Sequence, residues 1–416
     1  MASTLIDVTA VRARFPALAR TQDGRPVVFA DAPGGTQVPE SVIEAMARYL
    51  RESNSNTHGV FETSVETDAL IADARGAAAD LLGSDPSEIV FGQNATTLLF
   101  SISRAIGRQL GPGDELVVTR LDHDANVAPW MALAEDTGAT LRHVDFSEED
   151  CTLDLDSLDA ALSERTRVVA FTLASNAVGT LTTAAEIVRR AHDAGAIAVA
   201  DAVHVAQHRA IDVRALGVDL LACSPYKFFG PHLGALFGRY DLLEELRPYK
   251  VRPSRNTVPD RWETGTLPHE SLAGTIAAVD YIASLANGIA MDRRAAVVAS
   301  MEAIRAHEAE LSARFLSGLR ELDDVRLYGI ADPARVSERT PTFAIRHRDE
   351  PPVETATRLA DRGIYVWDGD YYALEVMERL GLQSTGGAVR IGVCHYNTPE
   401  EVDRVLDALG ELSGRA

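Results

Sequence analysis

The chain has few cysteines, a deficit of positive charge and no long apolar run. Its 416 residues include three cysteines, Cys151, Cys223 and Cys394, too few and too scattered for a disulfide framework or a metal site. The formal net charge of -21 disfavours nucleic acid and membranes as partners, because a polyanion would be repelled. The first residues lack a basic segment followed by an apolar core, so we expect a cytoplasmic protein.

Two further absences bear on organisation. No repeat or low-complexity linker interrupts the sequence, and no Gly-x-Gly-x-x-Gly turn follows the first predicted strands, which disfavours a nucleotide-binding dehydrogenase. Between about residues 60 and 240, apolar runs alternate with amphipathic stretches, which predicts a largely parallel sheet covered by helices on both faces. Strands are predicted at residues 88–91, 115–119, 167–173, 197–200 and 219–222, and helices at 66–82, 96–109 and 184–194.

The rest of the sequence predicts a smaller α+β domain. Residues 276–322 have Ala, Leu, Glu and Arg at helical spacing and predict one long helix. Beyond it, strands are predicted at residues 325–328, 341–346 and 388–393, and helices at 353–362 and 400–412. We expect an N-terminal segment (1–25) that packs on the small domain, a large domain (26–285) and the small domain (286–416).

Lys227 is the most informative single residue. It lies between a predicted buried strand and the turn Phe228-Phe229-Gly230, and buried lysines are rare and usually functional. Asp201 ends another predicted strand, at the edge where open α/β sheets bind ligands. An amine that holds an aldehyde and an anion that keeps a pyridine nitrogen protonated are what a pyridoxal 5'-phosphate (PLP) enzyme requires. The pattern favours a Schiff-base lysine, with a structural ion pair between Lys227 and Asp201 as the alternative.

Further polar groups follow predicted strands. Thr96 and Thr97 open a predicted helix, where backbone N–H groups favour a phosphate, although a plain helix cap is the alternative. His123 is suited to stack on the ring and move protons, or is only a loop histidine. Asn176 is suited to the phenolic oxygen of the cofactor, or only forms a turn. With Ser224 as a phosphate contact, all are expected to converge at one edge of the sheet.

Seven motifs, taken in their order along the chain, resemble those of class V aminotransferases. The resemblance is greatest to the cysteine desulfurase-like branch of fold type I PLP enzymes. The motifs are Ala95-Thr96-Thr97, Asp122-His123-Asp124-Ala125-Asn126, Ser175-Asn176, Asp201-Ala202-Val203-His204, Ser224-Pro225-Tyr226-Lys227, Thr264-Gly265-Thr266 and the stretch from Arg390 to Thr398. The resemblance covers nearly the whole chain. It implies a fold type I PLP-dependent transferase, with a mainly parallel seven-stranded sheet in the large domain and a smaller C-terminal α+β domain.

The resemblance also implies roles for single residues. Lys227, His123 and Asp201 would be catalytic. The implied cofactor-binding set is Thr96, Thr97, His123, Asn176, Asp201, His204, Ser224, Tyr226, Lys227 and Thr266. Thr266 would reach the phosphate of a neighbouring subunit, so a homodimer with shared active sites is expected. Arg390 would clamp the α-carboxylate of an amino-acid substrate, and Thr36, His58 and Tyr372 would line the substrate side.

One position departs from the resembling desulfurases. Where they carry a mobile-loop cysteine that takes up sulfur as a persulfide, this chain has Tyr372, and a phenol cannot accept a sulfane sulfur. Cys394 follows Arg390 at an even offset, but a core thiol is the simpler interpretation. The aromatic and acidic residues around Tyr372 indicate either a substrate larger or more cationic than cysteine, or a packed cluster.

The expected activity is therefore PLP-dependent chemistry on an L-amino acid or derivative through an external aldimine and a quinonoid. Desulfurase-like lyase or transferase chemistry without a loop cysteine is the leading interpretation. A class V aminotransferase, an epimerase of the isopenicillin N epimerase sort, and a non-catalytic PLP-fold binding module are the alternatives.

Overall fold

The computed structural model describes residues 6–286, 292–348 and 350–412. Among these residues, a seven-stranded sheet forms the centre of the molecule. In chain order its strands are β1 (Ile89–Gly92), β2 (Glu115–Thr119), β3 (Thr140–Val144), β4 (Thr166–Thr172), β5 (Ile197–Asp201), β6 (Leu220–Cys223) and β7 (Gly234–Gly238). Their order across the sheet is β1-β7-β6-β5-β4-β2-β3. Because β7 runs antiparallel to both of its neighbours and the other pairs are parallel, the carboxyl ends of the other six strands meet at one edge. The predicted fold class is confirmed.

The sheet is buried on both faces, as its apolar strands require. In β4, Val169 and Phe171 pack into one hydrophobic core, whereas Val168 and Ala170 pack into another. This alternation follows from the two-residue period of a strand. Two cores therefore lie on opposite faces of the same sheet and hold its carboxyl edge in place.

Helices are present at the predicted positions 66–82, 96–109 and 184–194, with ends that differ by at most four residues, and they also occur elsewhere. In the first part of the chain they are Val8–Arg12, Glu40–Glu52, Glu62–Leu82, Ala95–Gly107, Ala128–Thr137, Leu155–Ala161, Ala184–Asp193, Val213–Leu216, Tyr240–Glu245 and His269–Ala283. The later helices are Arg293–Leu319, Pro352–Ala360, Leu374–Arg379 and Pro399–Leu412. None of the helices described is both long and apolar enough to cross a membrane.

The prediction of one long helix at residues 276–322 is wrong. The structure has two helices there, His269–Ala283 and Arg293–Leu319. Asp292 caps the second, and its side chain accepts a hydrogen bond from the Ala295 N–H at 2.7 Å. An aspartate cap satisfies an otherwise unpaired N–H at a helix start. The two helices have a similar amino-acid composition, and the sequence pattern therefore did not indicate the boundary between them.

A second, antiparallel sheet contains β8 (Val325–Tyr328), β9 (Thr342–His347), β10 (Trp367–Gly369) and β11 (Ala388–Gly392), in the order β8-β9-β11-β10. It shares a hydrophobic core with the helices Arg293–Leu319 and Pro399–Leu412. The sequence pattern did not predict strands β3, β7 and β10. β7 begins and ends with glycine, and β10 has only three residues.

The N-terminal part of the chain contacts this second sheet region. Val28–Phe29 pairs in parallel with Ile364–Tyr365. Arg12 donates a hydrogen bond to the Tyr396 carbonyl at 2.8 Å and forms an ion pair with Glu401 at 2.9 Å. The domain limits 1–25, 26–285 and 286–416 stay a prediction.

Candidate active site

A cavity with about 520 Å³ of empty space opens at the carboxyl edge of the central sheet. It is lined by Asn94, Ala95, Thr96, His123, Ala125, Thr172, Ala174, Asn176, Asp201, Val203, His204, Ser224, Tyr226 and Lys227. All of the predicted cofactor-binding residues except Thr97 and Thr266 are therefore brought to one cavity. The parallel strands account for this convergence, because each residue follows the carboxyl end of a strand.

Lys227 lies in a short 3-10 turn, Pro225–Lys227, directly after β6. Its side chain is buried, and Nζ donates a hydrogen bond to the Pro33 carbonyl. Burial and, to a lesser degree, the positive charge of Arg390 lower the pKa of the amine to about 7, against the opposing effect of Asp201. A large share of the amine is thus neutral near pH 7, the form that attacks a carbonyl carbon.

Asp201 is the last residue of β5 and is almost fully buried. One of its oxygens accepts a hydrogen bond from the Val203 N–H at 2.7 Å. Burial raises the pKa of the carboxyl to about 6, although the Val203 N–H and Lys227 both favour the anion. Among the described residues, Lys227 and Asp201 do not form an ion pair with each other. Both nevertheless line the same cavity.

His123 stands in the turn after β2. Its Nδ1 accepts a hydrogen bond from the Ala125 N–H at 3.0 Å, so the neutral ring carries its proton on Nε2. The ring stacks on Tyr372, with 5.5 Å between the ring centroids and 18° between the planes. Burial, together with the charges of Lys227 and Arg390, lowers the pKa of His123 to about 4. The imidazole is therefore neutral near pH 7.

Arg390 enters the site from β11. Its Nη1 donates to the Asn176 carbonyl at 2.9 Å, and its guanidinium carbon lies 4.3 Å from the centroid of the Tyr371 ring. Burial lowers the pKa of Arg390 to about 10, which still leaves it cationic at neutral pH. The side-chain amide of Asn176 donates to the Tyr371 carbonyl at 3.0 Å. Arg390, Asn176 and Tyr371 thus join the second sheet to the cavity.

Several buried polar atoms at this site have no hydrogen-bond partner among the described residues. They are Asn176 Oδ1, His204 Nδ1 and Arg390 Nε. The other ring nitrogen of His204 is 3.1 Å from the hydroxyls of Thr340 and Thr342. Because buried polar groups in folded proteins are nearly always paired, these three atoms indicate a polar ligand.

The helix beside the cavity begins at Ala95, and Asn94 is its cap. Asn94 Oδ1 accepts from the Thr97 N–H at 2.8 Å, and the Asn94 N–H donates to Thr97 Oγ1 at 3.3 Å. Thr97 therefore serves as half of a capping box and lies outside the cavity, whereas Thr96 lines it. A Cβ on Gly234 would lie 2.4 Å from the backbone of Asn94, so only glycine lets β7 pass this close to the helix start.

The structure does not bring His58 and Thr266 to this cavity. Both line a separate open cleft with about 1400 Å³ of empty space, where His58 Nδ1 lies 3.1 Å from the Asp68 carboxylate. Thr36 instead braces the turn of Lys227. Its hydroxyl donates to the Tyr226 carbonyl at 3.3 Å and accepts from the Phe229 N–H at 2.8 Å.

Three residues at this site make contacts that the sequence did not predict. Pro33 supplies the carbonyl that holds Lys227, and Tyr371 supplies the ring against Arg390. Neither contact has a local sequence signal, because each joins segments far apart in the chain. Asn94 did have one, since an Asn followed three residues later by Thr is a capping pattern.

All three cysteines of the chain are buried. Burial raises the pKa of Cys151 and Cys223 to about 12 and that of Cys394 well above its ordinary value. Cys394 lies beyond the end of β11 and packs in the main hydrophobic core. The core-thiol interpretation of Cys394 therefore fits its placement, and a thiolate nucleophile does not.

Residues 28–405 match the family profile described as aminotransferase class-V. The chain belongs to the class V aminotransferase family. Family members are PLP-dependent enzymes. The chain is similar to a probable cysteine desulfurase of Streptomyces coelicolor (34% identity, covering 97% of each chain) and to a cysteine desulfurase of Dickeya dadantii (31% identity, covering 97% of this chain and 96% of the other).

Solved structures give the same relationship. The apo cysteine desulfurase of Thermococcus onnurineus superposes with a TM-score of 0.88 at 27% identity, over 100% of both chains. An S-sulfonic acid form of an Escherichia coli cysteine desulfurase has a TM-score of 0.84 at 25% identity, over 99% of both chains.

The cavity fits PLP by its own chemistry. It offers an amine with a lowered pKa at Lys227, a buried carboxylate at Asp201 and a flat neutral ring at His123. The unpaired Asn176 Oδ1 and His204 Nδ1 are suited to polar substituents of a pyridine ring. Thr96, at a capped helix start, is suited to a phosphate.

Proposed function

We propose that this chain is a PLP-dependent enzyme that acts on an L-amino acid or a derivative, by desulfurase-like lyase or transferase chemistry that uses no loop cysteine. The observation that carries the proposal is the buried Lys227 amine, with a pKa of about 7, in one cavity with Asp201 and His123. Family membership supports the cofactor, and the placement of these side chains supports their roles.

Each residue has a distinct task in this proposal. Lys227 would hold the cofactor aldehyde, Asp201 its ring nitrogen, and Thr96 and Ser224 its phosphate. His123 would cover one face of the ring. When bound, PLP supplies an electron sink that makes the α-carbon of an amino acid acidic.

The chain's own side chains would position the substrate and move its protons. The Nε of Arg390 is unpaired and Arg390 is buried, so its guanidinium is available for bidentate binding of an α-carboxylate. The neutral Lys227 amine is suited to accept a proton near the α-carbon. The Nε2–H of the neutral His123 ring is suited to donate a hydrogen bond there, because the Ala125 N–H fixes the tautomer.

The placement of the thiols supports a reaction that leaves no sulfur on the enzyme. Cys151, Cys223 and Cys394 are all buried with raised thiol pKa values, and the residue exposed beside His123 is Tyr372. A phenol has no sulfur to form a persulfide. Sulfur removed from a substrate would therefore leave as a free product or pass directly to a small acceptor.

The cofactor assignment is tested by covalent trapping. The chain contains two lysines, Lys227 and Lys250, so Lys250→Arg is a matched control for Lys227→Ala. We expect added PLP to give a visible Schiff-base absorbance in the wild type and in Lys250→Arg. After borohydride reduction, peptide mapping should find the adduct on Lys227. An adduct on Lys250 alone, or no adduct in the wild type, contradicts the proposal.

The reaction is tested by incubating the loaded enzyme with cysteine, cysteine sulfinate and larger thioethers. Release of sulfide, sulfite or another β-leaving group, measured together with the carbon product, supports the proposed chemistry. Exchange of the α-proton in heavy water without net consumption would assign an epimerase instead, and conversion of the cofactor to its amine form a transaminase. A fully loaded protein that changes none of these substrates would favour a binding module.

We also propose a homodimer with shared active sites, in which Thr266 serves the site of a neighbouring subunit. Its placement in an open cleft away from Lys227 supports this. We expect the mass in solution to be twice that of the chain. Lys227→Ala and Thr266→Val subunits, each weakly active alone, should regain activity when refolded together, because the mixed dimer contains one intact site. A fully active monomer would contradict the proposal.

A further inference from the structure

Two successive tyrosines adopt an unusual backbone conformation beside the cavity. Tyr371 and Tyr372 have φ angles of 55° and 57°, in the left-handed region that bulky residues rarely occupy. Such a conformation is unfavourable for a residue with a bulky side chain and persists only where neighbouring contacts hold it. The contacts of these two residues therefore show what the conformation achieves.

The backbone of this segment is fixed to the turns that carry the site residues. The Tyr372 carbonyl accepts a hydrogen bond from the Asp124 N–H at 2.6 Å. The Tyr371 carbonyl accepts from the Asn176 side-chain amide at 3.0 Å. Tyr372 N–H donates to the Asp370 carboxylate at 2.9 Å. The turns after β2 and β4 are thus both tied to one pair of residues.

The two rings point to different functional side chains. The Tyr371 ring lies under the Arg390 guanidinium, and the Tyr372 ring lies parallel to the His123 imidazole. Tyr371 is buried, whereas 71% of the surface of Tyr372 is exposed to water. Hydrophobic burial of Tyr372 therefore does not explain its placement, and the stack on His123 is its main contact with the site.

We propose that Tyr372 is a positioning residue, which holds the His123 imidazole parallel to its own ring and shields it from water. The inference rests on the proposed function, in which His123 covers the cofactor ring from the cavity side. His123 would then lie between the cofactor and Tyr372. Tyr372, at the position where the similar desulfurases carry a cysteine, would thus serve to position His123.

The charges around His123 make this inference measurable. Burial is the largest cause of its low pKa, Lys227 and Arg390 lower the pKa further, and Asp370 opposes them. Substitutions at Tyr372 leave all three of these charges in place. A change in the His123 pKa on such a substitution therefore reports the loss of shielding by the Tyr372 ring.

The test uses nuclear magnetic resonance of histidine-labelled protein without cofactor, with His123→Gln to assign the resonance. In Tyr372→Phe the ring remains, so we expect the upfield shift of the stacked His123 proton and a pKa near the wild-type value of about 4. In Tyr372→Ala we expect loss of that shift and a rise of the pKa by roughly one unit or more towards its ordinary value. Tyr240→Ala is the matched control, since Tyr240 is also exposed but follows β7 at the opposite edge of the sheet.

A second readout uses the loaded enzyme. Tyr372→Ala should lower kcat roughly tenfold or more, because His123 would no longer be held in place to donate its hydrogen bond, with a smaller change in KM, and Tyr372→Phe should restore kcat. The inference is overturned if Tyr372→Ala leaves the His123 shift and pKa unchanged, or if Tyr372→Phe behaves as Tyr372→Ala does. Failure of PLP to bind Lys227 would refute the proposed function but would leave the cofactor-free measurement valid.

Discussion

At the scale of single residues, burial shifts the pKa values of the titratable groups in the cavity towards neutrality. Lys227 loses part of its charge near neutrality, and the Asp201 carboxyl has a pKa raised to about 6. Each shift has burial as its largest cause. A large share of the Lys227 amine is therefore neutral at a pH where an exposed lysine is protonated.

The Lys227 pKa leads to a prediction for cofactor loading. The neutral fraction of the amine rises as the pH rises through about 7, so the rate of Schiff-base formation should rise over the same range and level off above it. Arg390 lowers this pKa, and Arg390→Met should therefore shift the curve to higher pH. Stopped-flow absorbance after mixing the cofactor-free protein with PLP measures both curves. A loading rate that is constant between roughly pH 6 and 9 would contradict the assignment.

How far the sequence predicts single residues depends on where their partners lie. Lys227, Asp201 and His123 were predictable because each follows a strand of a parallel sheet. Thr97 does not line the cavity but caps the helix with Asn94, the alternative that the sequence left open, since a threonine at a helix start serves equally well as a cap. The contact of Arg390 with Asn176 joins residues 214 positions apart, and only the folded chain shows which atoms meet.

At the scale of elements, a buried arginine joins the turn of Asn176 to β9. Arg339 is fully buried and donates to the carbonyls of Val178 at 3.2 Å and Thr340 at 3.3 Å, as well as to those of Ile330 and Thr342. Its guanidinium carbon lies 4.3 Å from the Phe343 ring centroid. Burial lowers the pKa of Arg339 to about 9, so it remains a cation at neutral pH.

Removal of this cation should destabilise the fold. Arg339→Met leaves several buried carbonyls unpaired, and we expect the free energy of unfolding to fall by roughly 3 kcal/mol or more. Arg335→Met is the matched control, because Arg335 pairs with Asp150 and Glu338 at a partly exposed site and should cost less than about 1 kcal/mol. Urea unfolding curves measure both. Equal losses in the two variants would contradict the role given to Arg339.

Elements differ in how clearly the sequence marks them. The apolar strands β2, β4, β5 and β6 were predicted within one or two residues, because continuous apolar runs have few alternatives in a buried parallel sheet. The antiparallel strand β7 and the three-residue strand β10 were missed. Their positions depend on pairing with distant strands, and pairing partners have no local signature.

At the scale of the whole molecule, all three cysteine side chains are buried. Cys151, Cys223 and Cys394 have at most 1% of their surface exposed. We expect no reaction of the native protein with an alkylating reagent at pH 8, and reaction of three thiols after unfolding in urea. Mass spectrometry counts the adducts. Rapid alkylation of one cysteine in the native protein, with loss of activity, would contradict this expectation and indicate that this thiol carries sulfur during the reaction.

The order of motifs along the chain was enough to predict the overall fold and the edge of the sheet that carries the cavity. It was not enough to predict how Tyr371 and Tyr372 meet the turns after β4 and β2. The contacts of Tyr371 and Tyr372 with these turns depend on how the second sheet packs against the first. That packing consists of many contacts between residues far apart in the chain. The resemblance supplied the expected catalytic set, and the described contacts supply the support around it.

The pairing of Val28–Phe29 with Ile364–Tyr365 has a consequence for biosynthesis. Gln22, close to the first of these strands, and Tyr365 form a hydrogen bond across 343 positions. At roughly 5–20 residues per second, the early strand emerges from the ribosome roughly 20 to 70 s before its partner. During that interval its backbone edge is open to other nascent chains, and all seven strands of the central sheet, the last of which ends at Gly238, are synthesised before the partner strand appears. Slower translation of residues 239–365 should therefore favour aggregation, and a chaperone that covers the first 30 residues should suppress it.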